Sequence, residues 1–167
     1  MIKKLASILS LFALTSCVTL QQQTGTSMIQ KDSLGKWKVT DFAGHGEVTV
    51  ANGVLKIGMG IELTGVNWTG ELPKEDYEIS FEGRRVLGND FFCGLTFPVK
   101  DKHATLVLGG WGGALVGISS LDNLDASENE TGDVYIFEDG DWYVIKLHVL
   151  SDRLKVWING KEQINVS

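Results

Sequence analysis

This sequence predicts an all-β fold, an antiparallel sandwich or closed barrel, on three observations. Apolar and polar residues alternate with a period of two through most of the 167 residues. About twelve short runs of this kind follow one another between Gly, Asn and Asp turns, with no convincing amphipathic helix among them. Only Pro73 and Pro98 occur, both near strand ends, where a missing N–H costs the ladder least.

The first segments lie outside that pattern. "MIKK" gives a positive start, and the apolar run "LASILSLFAL" is too short to span a bilayer but suits a secretory leader. Ser16 before Cys17 in "LTSC" resembles the bacterial lipoprotein lipobox. That resemblance implies cleavage before Cys17 and acylation of its thiol; the alternative is an ordinary secretory leader with an incidental cysteine. The expected organisation is a signal peptide over 1–16, a lipidated flexible tether over 17–27 and a β-domain over 28–167. The expected location is the bacterial cell envelope, at the outer membrane where there is one, with lipid as the only membrane attachment.

Charge and cysteines narrow the partners. The chain has 15 Lys and Arg against 21 Asp and Glu; without Lys3 and Lys4 the exported part carries 13 against 21, a net −8. Such a surface disfavours nucleic acid and anionic lipid. With Cys17 lipidated, Cys93 is alone in the apolar "FFCGLTF" and is expected to be an unreactive buried thiol.

The strands follow in order. "EVTVANGVLKIG" is two alternating runs around Asn52-Gly53, a hairpin signal. "YEISFEGRRV" puts Tyr77, Ile79 and Phe81 on one face and Glu78, Ser80, Glu82 and Arg84 on the other. "FFCGLTFPV" is apolar on both faces, as a central strand would be. "ATLVLGG" and "ALVGIS" flank Trp111, which stands between two pairs of glycines in "LGGWGGALVG". "DVYIF", "WYVIKLHVL", "RLKVWI" and "QINV" complete the series, after an acidic loop "DNLDASENETGD".

Two stretches carry a family resemblance. "DWYVIKLHVLSDRLKVWINGKEQI" looks like the late hairpin of concanavalin A-like jelly-roll domains, in which Trp142 and the alternating Ile145, Leu147 and Val149 would face the core and Asn159-Gly160 would reverse the chain. "LTGVNWTGELPKEDYEISFEGRRVLGNDFFCGLTFPV", with "TLVLGGWGG" and "DASENETG", resembles the 3-keto-disaccharide hydrolase domain family of the same superfamily. The resemblance covers most of residues 36–166 and implies a jelly-roll β-sandwich. Relatives of this kind continue for several strands after the Asn-Gly hairpin. Either this fold closes with fewer strands, or the chain is C-terminally truncated and leaves an exposed edge.

The resemblance also implies activity: hydrolysis of glycosides already oxidised at C3. A 3-ketone acidifies the C2 proton, so a base can form an enolate that expels the group at C1, aided by a positive group near the C3 oxygen. Residue chemistry suggests Glu128 or Glu130 as base and Arg84 as enolate stabiliser, with Asp90 as another polar groove residue. Trp111 is either a sugar platform on a concave sheet or a core residue beside a bulge. Trp157 shares an outward face with Arg153 and Lys155, as a recognition residue or an amphipathic ring under a loop. Glu82 with Arg84 could grip hydroxyls or be plain surface charge. The face Glu78-Ser80-Glu82 departs from the Glu-x-Asp-x-Glu strand of glucanases at Ser80. Its ends also stand ~13 Å apart along the backbone, too far for a paired-carboxylate site. The acidic loop is solvated, sugar-contacting or Ca²⁺-binding; no other cofactor is expected. His45, His103 and His148 are expected to be scattered surface residues rather than a metal set. A saccharide ligand is common to the first two function classes, an enzyme and a non-catalytic glycan-binding module. A structural surface protein is the third.

Overall fold

The computed structural model describes residues 25–167; the leader, Cys17 and the tether up to residue 24 lie outside the described residues. The described chain is all-β, with twelve strands and one helical turn. The span 28–167 divides into two compact units that meet in sequence between Thr69 and Gly70.

The first unit holds two small antiparallel sheets. β1 (Trp37–Val39) pairs with β4 (Val66–Trp68), and the indoles of Trp37 and Trp68 meet edge to face at 5.2 Å. β2 (Val48–Ala51) pairs with β3 (Val54–Ile57) around Asn52 and Gly53, whose φ values of 52° and 76° are those that a tight two-residue hairpin demands.

The second unit is the β-sandwich. One sheet has the order β12-β11-β10-β5, from β5 (Tyr77–Gly83), β10 (Tyr143–Val149), β11 (Leu154–Ile158) and β12 (Lys161–Val166). The other has the order β6-β7-β8-β9, from β6 (Cys93–Val99), β7 (Lys102–Gly109), β8 (Leu115–Ser119) and β9 (Asp133–Val134). Their facing sides form one core. Ile145, Leu147, Val149, Val156 and Ile158 from the first sheet pack with Leu106, Leu108, Val116, Ile118 and Phe97 from the second. Burying each such side chain contributes about 1.5–3 kcal/mol. Strict alternation sends the intervening residues outward, which fixes what each outer face presents.

Three sequence expectations are corrected. Tyr143 is buried with Ile145, Leu147 and Val149, whereas Trp142 is 48% exposed, because a period of two selects odd positions here. Among the described residues β6 is an edge strand, not a central one; Phe97 and Pro98 are both buried, and the Pro98 carbonyl accepts the Tyr77 hydroxyl at 2.5 Å. In "DVYIF" the strand ends at Val134, and Tyr135 and Phe137 continue into the core as an aromatic cluster with Phe92 and Tyr143.

Register also defines one end of the sandwich. Gly83 lies opposite Tyr143, and Cys93 opposite Leu108. The connections 84–92, 110–114 and 135–142 therefore gather there, and the far end carries Tyr77, Val149, Leu154 and Val166.

Candidate functional site

The predicted site residues fall into three places. The first is the loop end. Between β7 and β8 the chain makes one helical turn, α1 (Gly110–Gly113), in which Trp111 has φ 47° and ψ 59° and Gly109, Gly112 and Gly113 have φ of 65°, 88° and 94°. The left-handed region is costly for any residue with a Cβ, so glycine is required around the turn. At Gly113 a Cβ would also run into the Asn89 carbonyl. Trp111 alone keeps a side chain there. Its indole is 52% exposed and lies 5.8 Å from the Phe91 ring, tilted by 42°. The core alternative is thereby excluded, and the indole stands on a connection between strands rather than on a sheet face.

Asp90 and Arg84 belong to the 84–92 connection at the same end of the sandwich. Asp90 Oδ1 accepts the Gly112 N–H at 3.1 Å, and the Arg84 guanidinium lies 4.9 Å from the centre of the exposed Trp142 ring. Arg85 holds these loops together. Its Nε donates to Asp139 Oδ1 at 2.5 Å, Nη1 to the Asp90 carbonyl at 2.7 Å and Nη2 to the Phe137 carbonyl at 2.7 Å. Sequence reading passed over Arg85 in favour of Arg84, since only the structure reveals which arginine turns inward.

The second place is the outer face of the β12-β11-β10-β5 sheet. Glu78 faces His148 across β5 and β10, with Glu78 Oε2 2.5 Å from His148 Nε2 and 3.5 Å from Lys146 Nζ. Trp157, directly opposite Lys146, sets its indole 4.7 Å from the His148 ring. Lys155 Nζ stands 4.0 Å from Glu162 Oε2 on the same face. Trp157 thus points outward as expected, half-buried beside an imidazole. Glu82 is on this face too, exposed and opposite Val144. His148 and Glu78 were not singled out as a pair, because they are 70 residues apart and meet only once β5 is known to pair with β10.

Since ionised Glu78 can only accept, the imidazole donates from Nε2, leaving Nδ1 able to take a proton. A carboxylate-oriented imidazole, an ammonium and an aromatic face therefore stand together on an open sheet. Such a grouping places a proton acceptor, a cation and an aromatic surface within reach of one another.

The third place is the acidic loop between β8 and β9, with Glu128 and Glu130 both exposed. Asn129 organises it: Nδ2 donates to the carbonyls of Ile118 and Asp125 at 2.9 and 2.8 Å, and Oδ1 accepts from the Thr131 N–H and hydroxyl at 2.9 and 2.6 Å. Glu130 lines an open cleft of about 520 Å³ with Gln163 to Ser167, alongside β12 toward the far end of the sandwich. The expected meeting of Arg84 with Glu130 in one groove does not occur, because β8 carries the chain away from the Trp111 turn before the loop begins. Among the described residues no three His, Cys, Asp or Glu side chains gather as a cation site.

Burial pushes the Cys93 thiol up to about 11 and the Tyr77 hydroxyl up to about 12. The Cys93 setting is that of an inert thiol, as its apolar surroundings suggest.

A family model described as the 3-keto-alpha-glucoside-1,2-lyase-like domain matches residues 26–167. No curated protein and no solved structure matches.

Proposed function

The chain belongs to the 3-keto-alpha-glucoside-1,2-lyase-like domain family, and from that premise we propose that it cleaves a 3-keto-α-glucoside on the outer face of the β12-β11-β10-β5 sheet. The observation that carries this reading is the convergence of His148 Nε2 and Lys146 Nζ on Glu78 Oε2, at 2.5 and 3.5 Å, beside Trp157. Nδ1 of His148 takes the C2 proton. The C–H electrons form the C2=C3 double bond, and the negative charge on the C3 oxygen is stabilised by Lys146. The enolate then reforms its C3 carbonyl as C1=C2 forms and the C1–O bond breaks, and the imidazolium returns its proton to the departing oxygen. Addition of water across C1=C2 completes net hydrolysis. Glu78 keeps the imidazole in the tautomer that leaves Nδ1 basic, and the indole of Trp157 offers a face for the pyranose.

The test uses a 3-keto-disaccharide as substrate. His148→Asn should lower kcat by at least ~100-fold, the usual size of a general-base contribution. Lys146→Met should lower it in the same direction, with circular dichroism unchanged. Turnover at the wild-type rate in both folded variants would overturn the assignment. The envelope location rests on the Cys17 sequence pattern alone. Cys17→Ser should abolish incorporation of labelled palmitate in a bacterial host, and labelling that persists would refute acylation at Cys17.

A further inference from the structure

We infer that the loop end carrying Trp111, Phe91, Trp142 and Arg84 is a second saccharide site, which holds an unoxidised α-glucoside unit by its pyranose face and does no chemistry on it. The ligand class rests on the family reading above; the location does not depend on His148.

Three observations point there. Trp111 holds a left-handed backbone conformation that a bulky aromatic rarely adopts, and with its indole 52% exposed the turn gains little from burying it. Strain retained without packing in return marks a side chain presented for use. Trp142 is likewise 48% exposed, under the Arg84 guanidinium at 4.9 Å. The connections that carry the two indoles are tied together: Arg85 bonds to Asp139 and to the carbonyls of Asp90 and Phe137, and Asp90 Oδ1 accepts the Gly112 N–H. Aromatic side chains presented from connections tied in this way lower the ordering cost of binding.

The chemistry of this end selects the ligand. A sugar presents an apolar C–H face to an aromatic ring, while its rim hydroxyls find donors on Arg84 and the acceptor oxygens of Asp90. Asp90, Asp139 and Asp141 in these loops disfavour an acidic saccharide. No imidazole–carboxylate pair like that of His148 and Glu78 is present among the described residues of these loops, and the Asp139 carboxylate is engaged by Arg85. The end is therefore suited to holding a glucoside unit rather than deprotonating it.

The experiment is a titration of the full chain with maltotriose, an unoxidised α-glucoside, followed by ¹⁵N NMR of the indole N–H signals. Trp111 and Trp142 should shift and Trp157 should not. Trp111→Asn, which tolerates the left-handed turn, and Phe91→Ala should each weaken binding at least ~10-fold, as loss of an aromatic contact at a binding hot spot does. Both should leave kcat on a small 3-keto-glucoside unchanged. His148→Asn should bind maltotriose like the wild type. Shifts at Trp157 alone, no indole shift with maltotriose in the tens of millimolar, or wild-type binding by both variants would each overturn the inference. Maltotriose binding at Trp111 by a protein that turns over no 3-keto substrate would remove the elimination reading and leave this one standing.

Discussion

Replacing Arg85 by methionine removes the charge that ties the 84–92 and 135–142 connections, while retaining most of the aliphatic stem. The guanidinium is 12% exposed and its partner Asp139 43% exposed. Three interactions are lost: the pair with Asp139 at 2.5 Å and the donations to the carbonyls of Asp90 and Phe137 at 2.7 Å each. A hydrogen bond involving a charged group contributes roughly 1.5–3 kcal/mol, and the exposed half of Asp139 regains water on losing its partner, so the net cost should be about 3–5 kcal/mol. Urea unfolding should be followed on the amide signals of β5 and β10, so that the other compact unit does not enter. The midpoint should fall by about 1.5–2.5 M at a slope near 2 kcal/mol/M, with the slope unchanged. Arg85→Lys has a single head and cannot reach all three acceptors, so it should recover less than half of the loss. A double-mutant cycle with Asp139→Asn should give a coupling of at least ~1 kcal/mol, as for groups in one network. A loss under ~1 kcal/mol for Arg85→Met would show that the loops are held by the aromatic cluster of Phe92, Tyr135, Phe137 and Tyr143, and the reasoning about tied connections carrying the indoles would fail.

Two further outcomes test other parts of the sandwich. Asn129→Ala removes four hydrogen bonds to Ile118, Asp125 and Thr131 and should cost about 2–4 kcal/mol, with amide exchange accelerated over 120–132 and unchanged in the core strands. Unchanged exchange in that loop would count against it. Burial raises the Cys93 pKa from 9.0 to about 11, so the folded chain favours the neutral thiol. The contribution is complete below pH 9 and is lost as pH rises to 11, a fall of about 2–3 kcal/mol between those values. Guanidinium midpoints measured across that range should fall less steeply in Cys93→Val, and identical slopes would refute the assignment.

The strands were legible because alternation is a local signal, and so were the turns at Asn52-Gly53 and Asn159-Gly160, where φ is positive at all four residues. The outward face of β11 with Trp157 and the inward Tyr77, Ile79 and Phe81 followed from the same parity. Parity also corrects the reading of Trp142: the family pattern suggested a core tryptophan, yet position 142 is out of phase with Ile145. The candidate site was less legible, since it depends on which strands are neighbours. Nothing local to Glu78 says that His148 lies opposite it. Trp111 stands out in the sequence among its glycines. Its place on a connection rather than a sheet face required the backbone angles, because four left-handed residues in five make a turn where a run of small residues could equally be a flat strand.

The same geometric distinction decides which groups can act in one step. Elimination from a 3-keto sugar requires a base at the C2 hydrogen and a cation at the C3 oxygen. These positions are separated by only a few bonds, so the two heads must approach within about one hydrogen-bond length on each side of the sugar. Arg84 belongs to the loop end, over Trp142, whereas Glu130 lies against the last strand toward the other end. Those two cannot serve one ring without rearranging the sandwich. A single carboxylate oxygen, Glu78 Oε2, holds both an imidazole and an ammonium within 3.5 Å. Antiparallel pairing produces that closeness without special geometry: His148 sits directly opposite Glu78, and Lys146 is two residues along the same face. A sheet can therefore bring an imidazole and an ammonium to a carboxylate far from them in sequence, whereas the acidic loop is organised around its own Asn129.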